Sequence, residues 1–323
     1  MAAAMISYPA SLLVLPVAAF LGVIYVSATR ARQPALRHGG RIAALTVTWI
    51  LPLATTGPGP AELILGLLVG FLGIRMVALG ERWRSASLPP TPGRVLRAMV
   101  LPGELMASAP REHRRPALLL VTGMALASAC VALLVAGNIV RLWTWSRAAD
   151  DLLVLLEVAV GAEGIHLMIV GGAGLLGRSV AGLQERPLLS SSLGQFWARR
   201  WNHLVQSNLD RGFFRPYARR RAFATGTVAA FGASAVMHVI AVFDPSHLAV
   251  SLGPSAAVAA FFLVHGGLVI AERRLGLHHQ PHTGPRLLLA RVRTLALFAL
   301  LSPLLLDPFA NLVHVHGRPL TFP

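Results

Sequence analysis

The sequence predicts an all-α, polytopic integral membrane protein with about eight transmembrane helices plus interfacial or re-entrant amphipathic helices. Hydrophobic residues make up 55% of the 323 residues and charged residues only 13%, roughly half the charged fraction usual in a soluble domain. Apolar runs of about 20 residues, the length that crosses a bilayer, recur along the whole chain. They leave no room for a separate soluble domain, so we expect one integral membrane domain over residues 1–323.

Eight apolar runs predict the membrane helices in order along the chain. No basic residue precedes the first run, which is longer than the core of a signal peptide, so we expect it to remain as a helix. Glycines crowd the fifth run and predict close packing against a neighbouring helix; they are Gly161, Gly164, Gly171, Gly172, Gly174 and Gly177. The runs are 8–28, 41–57, 61–79, 116–138, 151–177, 222–243, 247–270 and 288–306.

Most of the basic residues lie in alternate segments between the runs, and one, Arg75, lies within the third run. All 29 are arginine, and 25 of them lie in residues 29–41, 80–115, 178–221 and 271–293, against three in the opposite segments. The positive-inside rule therefore predicts that these four segments face the cytoplasm and that both termini lie outside. The absence of lysine and the frequent alanine, glycine and leucine are typical of a GC-rich genome, so we expect a bacterial cytoplasmic membrane.

Composition also limits the partners. Arginine held at one membrane face explains the net charge of +16, so we expect a lipid bilayer and no nucleic acid. Cys130 is the single cysteine, which excludes an intrachain disulfide, and we expect it to be a packing residue. Several histidines near helix ends have no cysteine or clustered carboxylate beside them, so we expect no metal site; they are His278, His279, His282, His314 and His316.

The segment SSSLGQFWARRWN, residues 190–202, carries the most informative residues. Ser192 followed by Gln195 is a capping-box pattern, which predicts that a helix starts there. On one continuous helix an apolar stripe is expected opposite a polar face; the stripe is Trp197, Trp201, Leu204 and Val205, and the polar face is Gln195, Arg199, Asn202 and Gln206. An interfacial helix, with tryptophans at headgroup depth and arginines facing anionic lipid, explains the pattern equally well.

The sixth run places a histidine well inside an apolar span. Thr227, Ser234 and His238 recur at i, i+7 and i+11 and form a narrow polar line. An ionisable residue in such a place is a functional candidate because its burial is costly and usually requires a partner. The alternative is a neutral histidine bonded to a neighbouring carbonyl.

Two motifs together resemble a known family. The run SLGQFWARRWN, ending at Asn202, is similar to the SLxxFWxRRWN signature of the plant-type wax synthase branch of the membrane-bound O-acyltransferases. The run SAVMH, ending at His238, resembles that family's second signature, and the 36 residues between the two ends are about the family's spacing. The resemblance covers residues 190–243 well and the rest of the chain only as hydropathy.

The resemblance implies an acyl-CoA-dependent O-acyltransferase with no cofactor besides the co-substrate acyl-CoA. It implies that His238 is the general base and that Asn202 binds the oxyanion or positions the thioester. An apolar tunnel favours the neutral, basic imidazole. Guanidinium groups suit the phosphates of CoA, although each of these arginines can equally be a positive-inside anchor; the arginines are Arg199, Arg200 and Arg215, and the further substrate-binding candidates are Gln195, Trp197, Trp201 and Ser234.

The acceptor implied is a long-chain alcohol, giving a wax ester. The related sterol and diacylglycerol branches carry an acidic residue before paired tryptophans, where this chain has Arg199 and Arg200. Two alternatives remain open: another lipophilic hydroxyl, on a sterol, diacylglycerol or natural product, and a transporter or lipid-binding membrane protein without catalysis.

Two features depart from this simple interpretation, and three other polar residues of the predicted helices have further possible roles. Family members commonly have glutamate after the histidine, but this chain has Val239, and Glu157 or Glu163 is a possible substitute. Asn202 lies in a segment expected to face the cytoplasm, whereas His238 lies about 24 Å into its predicted helix. For the two residues to meet in one site, the signature segment must re-enter the membrane or the helix must start after Arg221. Glu163 and His166 are one turn apart and suit an ion pair or a proton relay, whereas His265 is expected to be a satisfied core residue.

Overall fold

The computed structural model describes residues 7–31, 33–50, 60–84, 90–100, 115–141, 144–177, 180, 183–243, 248–278 and 283–312. All regular secondary structure within these ranges is helical, and they contain no β-strand. The all-α prediction is therefore confirmed for the part of the chain that is described.

The helices follow the apolar runs of the sequence. The longer ones are α1 (Ser7–Thr29), α2 (Pro34–Ile50), α3 (Pro60–Arg84), α4 (Pro92–Val100), α5 (Pro116–Val140) and α6 (Arg147–Leu175). Short pieces follow: α7 (Leu193–Gln195), a π-helical turn at Phe196–Arg200, α8 (His203–Leu209), a second π-helical turn at Asp210–Phe214, and α9 (Arg215–Ala218). The chain continues with α10 (Phe223–Val242), α11 (Leu248–Arg274), α12 (Pro285–Leu301) and α13 (Pro303–Leu312).

The described residues divide into two compact units. The first unit contains the residues up to 100 together with 207–270, and the second contains residues 115–206 together with 271–312. The expectation of a single domain over residues 1–323 stays a prediction.

In the first unit, glycines let α3 approach α10 closely. A Cβ added to Gly66 would lie 2.8 Å from Cα of Ala241, and one added to Gly70 would lie 2.9 Å from the carbonyl oxygen of Met237. Only residues without a side chain fit such contacts, as in other membrane helix pairs. The pairing fixes α10 at the residue that precedes His238.

The first unit also buries a charged residue of α3. Arg75 is 1% exposed, and its Nε donates to the carbonyl oxygen of Ala98 at 2.7 Å. Ala98 lies in the last turn of α4, where carbonyl groups have no partner within the helix. The bond therefore satisfies an end group of α4, whose Val95 and Met99 are buried against the same unit.

In the second unit, α5 and α6 pack through the predicted glycines. A Cβ on Gly171 would lie 2.5 Å from the backbone nitrogen of Leu120, and one on Gly164 would lie 2.8 Å from that of Ala127. Gly161 and Gly174 also face α5, at Cys130 and Pro116. The prediction of close packing is confirmed for these four glycines. It is wrong for Gly172, which has nothing within 4 Å, and for Gly177, which has φ +67° beyond the helix end.

Five described helices are long and apolar enough to cross a membrane, in keeping with a multi-pass membrane protein: Ile64–Arg84 of α3, α5, α6, α10, and Leu252–Arg274 of α11. The bent pair α12 and α13 makes a sixth if it counts as one span. The expected number of eight is not confirmed. The first run contributes the shorter apolar stretch Pro16–Thr29, and part of run 41–57 lies outside the described residues.

The eighth predicted run is two helices that meet at Ser302 with a bend of 43°. Pro303 has no N–H group, so it cannot bond the Ala299 carbonyl as the helix requires. The hydroxyl of Ser302 donates to that carbonyl instead, at 2.8 Å. A proline and a serine together thus make the break without leaving this carbonyl unbonded.

Candidate active site

His238 is held by its own helix. Its Nδ1 lies 2.8 Å from the carbonyl oxygen of Ser234, one turn earlier in α10, and its ring lies 4.4 Å from that of Phe262 in α11. A carbonyl oxygen only accepts, so Nδ1 must carry the proton in this contact. The neutral imidazole then has its lone pair on Nε2, which is the nitrogen able to take a proton from another group.

The polar line predicted on α10 is present. Thr227 and Ser234 are buried, while His238 is half-buried. The Thr227 hydroxyl donates to the Phe223 carbonyl at 3.0 Å, so it is satisfied within the helix. His238 is the member of the line whose side chain has a basic nitrogen.

The signature segment starts with the predicted cap. Ser192 Oγ accepts from the backbone nitrogen of Gln195 at 3.0 Å, and Gln195 Oε1 accepts from the backbone nitrogen of Ser191 at 2.8 Å. The capping prediction is confirmed, with the glutamine reaching one residue further back than in the usual box. This contact engages the carbonyl end of the Gln195 side chain.

The prediction of one continuous helix through the signature is wrong. After α7 the backbone widens into a π-helical turn, closed by the bond from Trp201 N to the Phe196 carbonyl at 2.9 Å, and the helix then stops. Asn202 follows with φ +43°, a left-handed conformation that asparagine tolerates better than most residues. The expected stripe is therefore divided between two short helices.

Asn202 starts the next helix. Its Oδ1 accepts from the backbone nitrogen of Val205 at 3.2 Å, and its carbonyl accepts from Gln206 N at 2.9 Å. This is the geometry of a helix N-cap, although the φ value is unusual for one. The side-chain oxygen has a structural use, which leaves the Nδ2 amide as the part of the side chain that can donate to a substrate.

The signature aromatics surround a buried phenylalanine. Phe196 is 3% exposed, and its ring stacks on Trp201 at 5.6 Å and meets Trp197 edge-on at 5.1 Å. Phe298 of α12 contacts the same ring at 4.8 Å. Both tryptophans therefore pack in one cluster around Phe196 rather than in a stripe along a helix.

The three candidate arginines differ in their surroundings. Arg200 Nη1 donates to the carbonyls of Glu185 and Arg186 at 3.3 and 3.1 Å. Arg215, in the first unit, pairs with Asp210 at 2.6 Å. Arg199 is exposed. Arg200 and Arg215 thus stabilise local structure in the described state, and Arg199 is the signature guanidinium that lies on the surface.

The backbone of residues 183–185, which we call the clamp, bonds to the end of the signature segment. Glu185 N donates to the Arg200 carbonyl at 2.8 Å, and His203 N donates to the Leu183 carbonyl at 2.6 Å. The two bonds bracket Trp201 and Asn202 in the manner of a single β-type pairing. The left-handed turn at Asn202 is therefore held from both sides.

Glu163 and His166 anchor this clamp from α6. Glu163 Oε2 accepts from Gln184 Nε2 at 2.7 Å, and His166 Nδ1 accepts from Leu183 N at 3.0 Å. The sequence suggested an ion pair or proton relay between the two, but these bonds go to the clamp. Because His166 accepts through Nδ1, the lone pair of that nitrogen is already engaged by the backbone of Leu183.

The sequence analysis missed Glu272, in the last turn of α11. Its carboxylate accepts from the backbone nitrogens of Leu193 and Gly194 at 3.1 and 3.2 Å. An available signal was a lone acid followed by Arg273 and Arg274 in a segment otherwise dominated by arginine. Its partners are 79 and 78 residues away in the chain, a separation that no local pattern reveals.

His265 and Cys130 have the packing roles expected from the sequence, and four of the histidines near helix ends lie outside the described residues. His265 is 0% exposed and its Nδ1 donates to the Phe261 carbonyl at 2.8 Å, in keeping with a core histidine. Cys130 Sγ lies 3.3 Å from the Glu157 carbonyl and packs against Gly161. The described residues contain no group of three or more side chains able to hold a metal ion. His279, His282, His314 and His316 are outside them.

The two candidate catalytic residues belong to different units. His238 and Ser234 lie in the first unit with Arg215. Asn202 lies in the second unit, together with the other signature residues Trp197, Arg199, Arg200 and Trp201. The alternative that α10 starts late is limited, because it begins at Phe223, which leaves 15 residues before His238. That distance along the helix is still about 22 Å.

Comparison with known proteins gives evidence on function that does not depend on the structure. No protein-family model matches the chain. A protein of Arabidopsis thaliana named "Probable long-chain-alcohol O-fatty-acyltransferase 2" is 34% identical over 137 residues, which cover 39% of this chain and 38% of that protein. The proteins of the same plant numbered 7 and 1 in that series are 31% and 28% identical, covering 37% and 47% of this chain and 35% and 48% of their own lengths.

The chain thus spans between about a third and half of the length of the curated relatives it matches. All three carry the same enzyme name, which agrees with the resemblance stated from the two signature motifs. The resemblance stated from the motifs is confirmed as a similarity: over part of its length the chain is similar to proteins named long-chain-alcohol O-fatty-acyltransferases, which supports the wax synthase branch.

Proposed function

We propose that the protein is a membrane-bound O-acyltransferase that moves a fatty acyl group from acyl-CoA to a long-chain alcohol and so makes a wax ester. The observation that carries the proposal is the 2.8 Å contact between His238 Nδ1 and the Ser234 carbonyl oxygen, which requires the proton on Nδ1. Nε2 of His238 is therefore the basic nitrogen of a residue inside an apolar helix. The similarity to long-chain-alcohol O-fatty-acyltransferases supports the choice of acceptor.

The proposed reaction needs one base and one oxyanion donor. Nε2 of His238 removes the proton from the alcohol hydroxyl while the alcohol oxygen attacks the thioester carbonyl. The tetrahedral intermediate collapses, the C–S bond breaks, and the imidazolium returns the proton to the CoA thiolate. The products are an ester and free CoA, and the histidine ends in its starting form.

We propose that the Ser234 carbonyl fills the orienting role that the family resemblance assigns to a glutamate after the histidine, a position occupied here by Val239. A group that accepts from Nδ1–H fixes the ring orientation and the tautomer, and it stabilises the imidazolium that forms during the reaction. Glu163 is already bonded to Gln184, which argues against it as the substitute. A backbone carbonyl carries no full charge, so we expect a weaker stabilisation than a carboxylate gives.

We propose that Asn202 donates through Nδ2 to the developing oxyanion, or holds the thioester, and that Arg199 binds a phosphate of CoA. The Asn202 oxygen is engaged by Val205, which orients the amide so that its nitrogen points away from the cap. Preorganised donors of this kind are worth about 3–4 kcal/mol in enzymes with an oxyanion hole. The remaining signature side chains, including Gln195, Trp197, Arg200 and Trp201, shape the surface around them.

The membrane arrangement is part of the proposal. We infer eight spans with the arginine-rich segments in the cytoplasm, where acyl-CoA is made, and a bacterial cytoplasmic membrane as the site. Single cysteines at Ser191 and Thr144, in a Cys130→Ala background, should react from opposite sides of the membrane in intact cells and inverted vesicles. Reaction of both from the same side would contradict this topology.

The proposed activity is tested with purified protein, palmitoyl-CoA and hexadecanol. We expect release of free CoA together with hexadecyl palmitate, and little product from diacylglycerol or a sterol. Each buried methylene contributes about 0.8 kcal/mol, so the rate at subsaturating alcohol should rise steeply from octanol to tetradecanol. A preference for a sterol or polyol would refute the wax-ester assignment, and absence of any ester would favour a non-catalytic lipid-binding protein or transporter.

A further inference from the structure

A buried acid holds the start of the signature segment. Glu272 is 5% exposed, yet it lies in an arginine-rich part of the chain and belongs to neither signature motif. Burial of a carboxylate is costly unless hydrogen bonds and an opposite charge compensate it. Its partners therefore indicate what the residue is for.

Those partners are the first two N–H groups of the signature helix. Leu193 N and Gly194 N donate to the two different oxygens of Glu272, at 3.1 and 3.2 Å. The third N–H group, of Gln195, donates to Ser192 Oγ, and the fourth, of Phe196, donates to the Ser192 carbonyl at 3.0 Å. The Phe196 bond is the first regular bond of the helix, and the N–H groups of Leu193, Gly194 and Gln195, which have no partner within it, are satisfied by side chains, two of them by one distant carboxylate.

Arg293 of α12 completes the attachment. Its Nη2 lies 3.6 Å from Glu272 Oε1 and 3.4 Å from the Ser191 carbonyl. The guanidinium therefore compensates the buried carboxylate and also bonds the backbone just ahead of the signature helix. Glu272 and Arg293 tie residues 191–194 to the last turn of α11 and to the middle of α12.

The segment needs such ties because it is short. Residues 193–200 form only one α-helical turn and one π-helical turn, and helices of this length are not stable by themselves in water. At the far end, Glu185 and Leu183 hold Arg200 and His203. Between these attachments lie Trp197 and Arg199, whose positions depend on the rotation of the segment about its axis.

We propose that Glu272 is a positioning residue for acyl-CoA binding: its carboxylate fixes the start of the signature helix so that Arg199 stays placed for the CoA phosphates. The inference rests on the proposed function, because it assigns Glu272 a part in that same site. Removing the charge leaves the base on α10 untouched. The loss should therefore appear in the binding of acyl-CoA and not in the chemical step.

The kinetic arm compares Glu272→Gln with Glu81→Gln. Glutamine has the size of glutamate but offers one acceptor oxygen and no charge. Glu81 is a matched acid near a span end that pairs with Arg41 and Arg84. For Glu272→Gln we expect KM for palmitoyl-CoA to rise 5- to 20-fold, with KM for hexadecanol and kcat within twofold of the parent. The Glu81 variant should leave all three unchanged.

A labelling arm does not depend on activity. Ser190 is 0% exposed and immediately precedes the attached residues. In a Cys130→Ala, Ser190→Cys protein, maleimide should modify the thiol slowly, and Glu272→Gln should accelerate the modification at least 10-fold. Glu81→Gln should not change the rate. If Glu272→Gln does not accumulate in the membrane, Arg293→Gln, which keeps the carboxylate, should give changes of about threefold in the same directions.

The outcomes distinguish a failure of the positioning role of Glu272 from a failure of the proposed acyltransferase function. Faster labelling together with a selective rise in KM for palmitoyl-CoA supports the positioning role. Unchanged labelling overturns it, and so does a uniform loss of kcat with both KM values altered, which would indicate general damage to the fold. If the parent protein forms no ester with any acceptor, the proposed function fails, while the labelling arm still decides whether Glu272 holds the segment.

Discussion

The two regions that carry the candidate catalytic residues are held in different ways. His238 lies on α10, a regular helix of 20 residues, and its orienting bond comes from Ser234 only four residues earlier. Asn202 lies at a break between two short helices, and the surrounding segment is held by Leu183, Glu185 and Glu272, from distant parts of the chain. The orienting bond of His238 depends on its own helix alone, whereas the segment around Asn202 also depends on bonds from residues outside it.

The largest expected effect is at the locally held residue. Asparagine can donate from Nδ2 where histidine donates from Nδ1, so His238→Asn keeps the bond to Ser234 but removes the basic Nε2. We expect the rate of ester formation to fall about 10²- to 10⁴-fold, the usual contribution of a general base. Membrane expression and detergent extraction should stay near those of the parent.

The matched control for this change is His166→Asn. The amide oxygen can accept from Leu183 N as Nδ1 of His166 does, so the clamp should survive and most of the activity with it. The reverse result, with an active His238 variant and an inactive His166 variant, would move the base to α6.

A smaller loss of rate is expected on substitution of Asn202, between the two short helices. Two variants distinguish its role as an amide donor from its role in the turn and the helix cap. Asn202→Asp keeps an oxygen for Val205 N but removes the amide donor, and a charge there opposes the oxyanion. We expect a rate loss of about 10²- to 10³-fold, as for other oxyanion donors. Asn202→Gly keeps the left-handed backbone, φ +43°, because glycine adopts it freely.

If the amide matters, the glycine variant should lose activity with little change in thermal stability. Nearly full activity in both variants would show that the asparagine is there for the turn and the cap alone. Steady-state rates with palmitoyl-CoA and hexadecanol, beside melting curves in detergent, distinguish these cases.

The smallest expected effect concerns the packing of α6, the helix whose side chains bond to the clamp, against α5. On α6, an added methyl at Gly171 meets Leu120 N at 2.5 Å, whereas the adjacent Gly172 has open space. Gly171→Ala should destabilise the protein by about 1–3 kcal/mol through overpacking, and Gly172→Ala should be neutral or slightly stabilising. Melting temperatures in one detergent compare them directly. Equal values for the two variants would mean that α5 and α6 do not pack as described.

Sequence reasoning predicted the features that depend on neighbouring residues. Hydropathy located the long helices, and the serine and glutamine of the signature marked the start of α7, because caps and apolar runs are local properties. The carbonyl-bonded histidine, offered as one alternative from the sequence, is also the observed geometry of His238. That bond did not require abandoning the histidine as a base, since it defines which nitrogen stays basic.

Only the tertiary structure decided how the signature segment is shaped and held. The period of its residues suits one helix, but the left-handed Asn202 and the clamp at Leu183 and Glu185 divide it. The partner of the segment, Glu272, stands almost 80 residues away, and the bend at Ser302 likewise depends on how α12 and α13 meet. The physical reason is the same in each case. Composition and periodicity report which residues prefer an apolar surrounding, whereas pairing between distant backbone and side-chain groups depends on where the folded chain brings them.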